Sequence, residues 1–132
     1  MIEENYKIHR RFDRLGRLMG DRAVKRLLDS NVVVIGLGGV GSFAAEALTR
    51  SGIGNLTLVD FDLVCVTNAN RQLQAMRGTV GKPKATVLAE RLRLINPAAN
   101  IKAVPLFYDK RLSDKLLPKG TDFVVDAIDN VT

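Results

Sequence analysis

Apolar and polar positions alternate along the chain in a way that divides it into helical and extended stretches. From about Asn5 to Asp29, Phe12, Leu15, Leu18, Met19, Ala23, Leu27 and Leu28 recur near helical spacing, and Gly16 and Gly20 are expected to break this helix into pieces. Val32-Val33-Val34-Ile35 is a β-branched run without polar alternation, which suits a strand buried on both faces. Ser42 to Arg50, with Phe43, Ala44, Ala47 and Leu48, reads as a helix ending near Gly52. Leu56 to Val59 predicts a second strand, ending in Asp60, and the stretch from Asp62 to Thr79 is polar and irregular with room for one short helix. Pro83 suits a first helical position, and Ala85, Leu88, Ala89, Leu92 and Ile95 then keep one apolar face until Asn96-Pro97. Ile101 to Leu106 predicts a third strand, Asp109 to Leu117 a weak helix, and Phe123 to Val125 a fourth strand. Strands alternating with helices imply an α/β fold: a Rossmann-like, mostly parallel sheet preceded by an N-terminal helical segment.

Size and composition narrow this picture. With 132 residues, 46% of them hydrophobic, the chain is one domain's worth and can bury a real core. No apolar run is long enough to span a membrane, and the polar stretch from Met1 to Arg14 has no apolar leader, so a cytoplasmic protein without membrane association is expected. A single cysteine, Cys65, excludes an intramolecular disulfide and a cysteine-rich zinc site; between Val64 and Val66 it is expected to be a small buried hydrophobe. His9, with no second histidine, is expected to be solvated. The net charge of +6 is uneven: residues 71–119 hold eleven basic residues against Glu90, Asp109 and Asp114. Such a basic half suits a polyanionic partner, either nucleotide phosphates or a nucleic acid backbone, or is simply a solvated surface.

Gly36-Leu37-Gly38-Gly39-Val40-Gly41 satisfies G-x-G-x-x-G directly after a strand and at the start of a helix. Gly36 permits the tight turn, Gly38 leaves room for phosphate or ribose, and Gly41 lets helix and strand approach. Free N–H groups at the helix start favour an anion. Asp60, nineteen residues after Gly41, ends the next strand, where a carboxylate can accept from ribose hydroxyls. Ser42 stands where a Walker loop requires lysine, so this is not a Walker loop. These features divide the chain into a helical segment, 1–30, and a nucleotide-binding domain, 31–132. NAD is the default ligand of such a fingerprint. However, Thr67-Asn68-Ala69-Asn70-Arg71-Gln72 and Gly81-Lys82-Pro83-Lys84 both start beyond the C-terminal sheet edge, and Asp129 closes strand four there. Arg71 and Lys84 can meet a triphosphate and Asp129 can hold Mg²⁺, a cluster that phosphoanhydride cleavage needs and hydride transfer does not.

On Gly36-x-Gly38-Gly39-x-Gly41-Ser42, Leu58-Val59-Asp60-x-Asp62, Asn68-x-x-Arg71-Gln72, Gly81-x-Pro83-Lys84 and Asp126-x-x-Asp129-Asn130, the chain resembles the ThiF/MoeB/HesA family, bacterial relatives of ubiquitin-activating enzymes. The resemblance runs from about Arg11 to Asn130. Val64-Cys65-Val66-Thr67-Asn68-x-Asn70-Arg71-Gln72 and Gly52-Ile53-Gly54 are most similar to its tRNA threonylcarbamoyladenosine dehydratase branch. The resemblance implies adenylyl transfer from Mg-ATP to a carboxylate, with tRNA as substrate in that branch and the C-terminus of a ubiquitin-like sulfur carrier in others. It further implies that Gly38, Gly39 and Gly41 face the nucleotide, Asp60 takes the ribose with Asp62 beside it, Asn68, Arg71 and Lys84 hold the phosphates, and Asp129 binds the metal. Arg14 resembles an arginine sent into a neighbouring subunit's site, which would require a homodimer; Leu15 follows it where relatives often have Gln.

Simpler readings stand beside these. Arg71 and Lys84 can be surface charges, Asp129 a helix N-cap, and Arg14, Arg17 and Arg22 one solvated helix face. A nucleotide-binding module without turnover and an NAD-dependent oxidoreductase are the other functional classes. In the family the sheet continues past the fourth strand. The expectation is therefore a piece of a longer protein, inactive alone, or a fourth-strand edge covered by another chain.

Overall fold

The structure, a computed structural model, describes residues 10–113 and 117–129. His9, Asp114 and Asn130, and the start of the first predicted helix, lie outside them. Helices α1 (Asp13–Met19) and α2 (Asp21–Leu28) lead into β1 (Asn31–Ile35), α3 (Gly39–Arg50), β2 (Asn55–Val59), α4 (Lys84–Ile95), β3 (Asn100–Val104) and β4 (Phe123–Asp126). Single 3-10 turns occur at Arg10–Phe12, Val66–Asn68 and Lys110–Leu112. The four strands form one parallel sheet in the order β3-β2-β1-β4. Because β1 lies inside the sheet, its residues Val32 to Ile35 are all buried, as the unbroken apolar run requires.

Val32, Val34, Leu56, Leu58 and Ile101 face α3 and α4, whose Ala45, Leu88 and Leu92 are fully buried against them. On the opposite face Val33, Ile35, Val59 and Val104 form a smaller cluster with Tyr108 and Leu117. Glu46 of α3 accepts from Arg91 of α4 at 2.6 Å and from Arg50 at 3.3 Å, joining the two helices above the larger core. Phe12, 4% exposed, packs at 3.5 Å from where a Cβ on Gly52 would lie, so α1 docks at the end of α3 farthest from the glycine turn.

Several element boundaries move relative to expectation, each for a local reason. Gly16 lies inside α1 and only Gly20 separates the two helices, so Arg14 and Arg17 belong to one helix and Arg22 to the next; all three are exposed, but not on one helix face. α3 begins at Gly39, within the fingerprint, because Ser42 N–H already bonds to Gly38 O at 3.0 Å. Pro83 is the N-cap of α4, not its first residue, since ψ of 130° keeps it extended. β3 stops at Val104 rather than Leu106: Pro105 has no N–H to continue the ladder, and Leu106 N–H turns back to Val104 O. The weak helix expected from Asp109 to Leu117 opens as a 3-10 turn, Lys110–Leu112, capped by the Asp109 side chain, and part of its remainder lies outside the described residues.

Candidate functional site

All four strands end at one rim, and three backbone bonds hold the departing segments level there: Gly36 N–H to Val59 O, Asp60 N–H to Val104 O and Ala127 N–H to Ile35 O. The chain must then turn sharply above β1. Gly36 adopts φ of +89°, and a Cβ on it would lie 2.6 Å from Ala127 O; a Cβ on Gly41 would lie 1.7 Å from Gly36 O. Only glycine fits at either position, which brings the start of α3 directly against the strand end. Leu37 N–H of this turn donates to Asp60 Oδ2 at 2.7 Å, and Asp62 N–H donates to Asp60 Oδ1 at 2.8 Å. Asp60 thus ties the turn to β2, and each oxygen keeps a lone pair for another donor.

The irregular segment after β2 packs onto this turn. Gln74, fully buried, donates from Nε2 to Leu37 O at 2.6 Å, and Gln72 is 7% exposed with Nε2 3.8 Å from a Cβ on Gly38. The Arg71 stem lies against the start of α3, its Cγ 3.4 Å from a Cβ on Gly39, while Nη1 donates to Asn70 Oδ1 at 2.7 Å and Thr67 O at 3.1 Å. Arg71 therefore stands beside the helix start with an exposed guanidinium. Asn68 is buried and turned inward, its Oδ1 accepting from Cys65 N–H at 2.9 Å; this leaves the amide nitrogen as the group that can donate to a ligand. A clip of Val64 N–H to Lys82 O and Lys84 N–H to Asp62 O closes the segment and sets Lys84 at the start of α4. Lys84 Nζ is 3.8 Å from Asp62 Oδ2, and only 8% of the Lys84 side-chain surface is exposed.

Cys65 is exposed, not buried as its valine neighbours suggested: Val64 alone turns into the core, and Cys65 faces out at the head of the 3-10 turn. The Thr67 hydroxyl donates to its sulfur at 3.1 Å, and this bond, the Thr67 N–H and the charge of Lys84 lower the thiol below its ordinary value.

Beside the glycine turn a cleft of about 270 Å³ opens over the strand ends, lined by Gly36, Asp60, Phe61, Asp62, Lys110 and Asp129 among others. Phe61 and Phe107 meet edge to face inside it, ring centroids 5.1 Å apart. No group of three or more metal-ligating side chains converges among the described residues. Asp129, an exposed carboxylate on the cleft wall, suits Mg²⁺, an ion held by one or two carboxylates with substrate phosphates supplying further oxygens.

Of the expected site residues, Gly38, Gly39, Gly41, Asp60, Asp62, Asn68, Arg71, Lys84 and Asp129 share this rim, Asp129 as a lining residue of the cleft; Gly41 does not face the nucleotide but packs against Gly36 and Ala127. Arg14 does not: it is exposed on α1, which docks at the opposite end of α3, so it cannot reach the cleft of its own chain. Gln74, Phe61 and Phe107 belong to the site and were missed. Phe61 and Phe107 each lie just past a strand end, and that position was the available signal. Gln74 had no signal, because only the fold reveals that its amide reaches a carbonyl 37 residues away.

The sequence profile of the ThiF family matches residues 12–132. The chain is 49% identical over 128 residues to a tRNA threonylcarbamoyladenosine dehydratase of Haemophilus influenzae, an alignment covering 97% of this chain and 48% of that protein. It is 40% identical over 112 residues to a molybdopterin-synthase adenylyltransferase of Escherichia coli, covering 85% of this chain and 43% of that one. The solved structure of the Escherichia coli tRNA N6-threonylcarbamoyladenosine dehydratase in complex with ATP superposes with a TM-score of 0.89 at 48% identity, over 92% of this chain and 50% of that one. The chain spans about half the length of the curated relatives it matches.

Proposed function

The chain belongs to the ThiF family, and on that premise we propose that it carries the ATP site of an enzyme that adenylates a carboxylate, namely that of threonylcarbamoyladenosine in tRNA, as a step towards its cyclisation. The observation that carries this reading is Lys84: a packed side chain, 8% exposed, whose ammonium has one carboxylate at 3.8 Å, at the same rim as the exposed guanidinium of Arg71 and the start of α3. A cation held in place by its packed stem and so loosely paired is left to meet a triphosphate. On this reading the nucleotide-binding domain spans 31–132, and the segment before it, 1–30, contributes α1 and α2 among its described residues.

Gly38 and Gly39 keep the approach to the helix start clear, so that its free N–H groups meet phosphate oxygens, while Gly41 faces inward and lets α3 lie against the strand end. Asp60 accepts from ribose hydroxyls through its remaining lone pairs, Asp62 positions Lys84, and Phe61 with Phe107 offers the base an aromatic wall. Asn68, Arg71 and Lys84 hold the phosphates. The substrate carboxylate oxygen bonds to the α-phosphorus as the bond to the bridging oxygen breaks, and pyrophosphate leaves with that electron pair. The chain's part is to align the triphosphate and neutralise charge developing on the leaving group. Asp129 would hold Mg²⁺, which supplies further charge neutralisation when bound. Arg14, too far from its own cleft, serves a neighbouring copy in a homodimer. The protein acts in the cytoplasm, and no helix among the described residues is long and apolar enough to cross a membrane.

The 40% identity to a molybdopterin-synthase adenylyltransferase favours a second reading, activation of a Gly-Gly-ended carrier protein. The test is pyrophosphate–ATP exchange on the full gene product. Exchange that depends on tRNA bearing threonylcarbamoyladenosine is expected; exchange that depends on the carrier establishes the second reading. ATP binding without any exchange would leave a nucleotide-binding module, and micromolar NADH binding without ATP binding would overturn both.

A further inference from the structure

The segment from Leu63 to Lys84 carries four basic residues, Arg71, Arg77, Lys82 and Lys84, and no acidic one. The proposed ATP site uses Arg71 and Lys84, so Arg77 and Lys82 are surplus to it. Both are exposed, and neither has a carboxylate partner among the described residues. Their place is fixed by the fold. Gln74 anchors the segment's base to Leu37 of the glycine turn, and Thr79 closes the Met76–Thr79 turn by accepting from Met76 N–H at 2.9 Å. Lys82 O accepts from Val64 N–H at 2.8 Å, two residues before the phosphate-facing Lys84. At the tip, Gly78 has open space around it, and Met76 and Val80, 46% and 54% exposed, stand beside the two cations.

From this arrangement we infer that the Met76–Lys82 tip is a docking surface for the RNA backbone flanking the nucleotide being modified. The inference rests on the adenylation reading. A nucleoside whose carboxylate reaches an α-phosphate at the rim brings its own neighbouring phosphates to that rim, and those need cations the triphosphate has not taken. Arg77 and Lys82 meet these phosphates, and Met76 and Val80 offer apolar contact to unstacked bases. The cleft over the strand ends is lined by Asp60, Asp62 and Asp129, with Lys110 at its wall, and Lys84 N–H donates to Asp62 O at 3.0 Å, joining the base of the segment to it. The acidic cleft takes the nucleotide with its metal, and the cationic tip takes the polyanion.

A second pair of unpartnered lysines supplies an internal control. Lys102 and Lys119 line a separate cleft at the opposite, N-terminal sheet edge, with Asn31, Asn55 and Asn100. Arg77→Ala/Lys82→Ala and Lys102→Ala/Lys119→Ala remove the same net charge at opposite ends of the molecule. Fluorescence anisotropy of labelled tRNA, from 50 to 200 mM salt, reads the difference. For the Arg77/Lys82 pair the expected result is roughly tenfold weaker binding and a log–log salt slope smaller by about 1.5, near the value for two lost phosphate contacts. The Lys102/Lys119 pair should leave both unchanged. Equal effects of the two pairs, no effect of either, no tRNA binding by the parent protein, or loss of carrier-protein binding in place of tRNA binding would each overturn the assignment. An ATP-induced rise in melting temperature, retained in both variants, shows that fold and nucleotide site are intact. Tip-dependent tRNA binding without pyrophosphate exchange would refute adenylation while leaving the surface standing.

Discussion

Lys84 exposes 8% of its side-chain surface, and its nearest carboxylate, on Asp62, lies beyond hydrogen-bond range at 3.8 Å. Its stem is packed while its charge makes no close pair, so an apolar side chain of similar volume keeps the packing and costs the fold little. Lys84→Met is therefore expected to melt close to the parent, while losing the rise in melting temperature that ATP gives the parent; thermal scans with and without ATP measure both. Arg71 is exposed, so its removal costs the fold little. Arg71→Ala should instead slow pyrophosphate exchange on the order of 100-fold, the usual loss when a donor to developing charge is deleted. Cys65 is the third residue whose surroundings decide its chemistry. The Thr67 hydroxyl and N–H, with Lys84 behind them, favour its thiolate. Thr67→Val removes the first of these, and the rate of Cys65 alkylation at pH 7 is expected to fall several-fold.

Between elements, the junction of α3 and α4 depends on Glu46. Burial opposes its charge, but hydrogen bonds and attraction from Arg91 and Arg50 outweigh burial and hold its carboxyl below the usual value. A carboxylate lowered on folding stabilises above its unfolded-state pKa, and that contribution is lost as pH falls through the folded-state value. Glu46→Gln should then cost about 1–2 kcal/mol at pH 7, less than a fully buried pair because Arg91 and Arg50 keep solvent contact. The gap in melting temperature between parent and variant should close below about pH 4, near the ordinary glutamate range. Glu46 drew no attention in the sequence as a charged position, because its partner Arg91 is 45 residues away and only packing brings them together. The strands were legible for the opposite reason: Val32 to Ile35 is apolar without alternation, and only an interior parallel strand explains that. The rim was legible where chemistry follows a strand end, as at Gly36, Asp60 and Asp129. It was illegible in the long excursion after β2, where hydrogen bonds rather than periodicity set the path. Cys65 was misjudged there because the alternation of an extended segment buries Val64 and exposes its neighbour.

At the scale of the whole molecule, the two sheet edges are chemically distinct. The C-terminal rim gathers the glycine turn, the excursion that ends in Lys84, and the segment after β4. The N-terminal edge carries the α2–β1 junction, where Asn55 N–H bonds to Ser30 O at 3.2 Å and Gly54 N–H to Leu27 O at 3.2 Å. A ligand that binds only the folded state stabilises it by about 2.7 kcal/mol at a hundred times its dissociation constant. Amides in loops, which exchange through local opening, sense such a ligand only where it touches them. Saturating ATP is therefore expected to slow hydrogen exchange at Leu37–Val40, Thr67–Gln72 and Lys84, and to leave the loop amides of Lys119–Thr121 at their unliganded rates. Mass spectrometry of peptides from the exchanged protein reads both ends at once. Protection at the N-terminal edge without protection of the glycine turn would place the nucleotide at the Lys102–Lys119 cleft. The same rim geometry makes a further demand: α1 lies beyond the far end of α3, so ATP should protect α1 only when a second copy brings Arg14 to the cleft. That protection should grow with protein concentration, whereas protection of the glycine turn, a contact within one chain, should not.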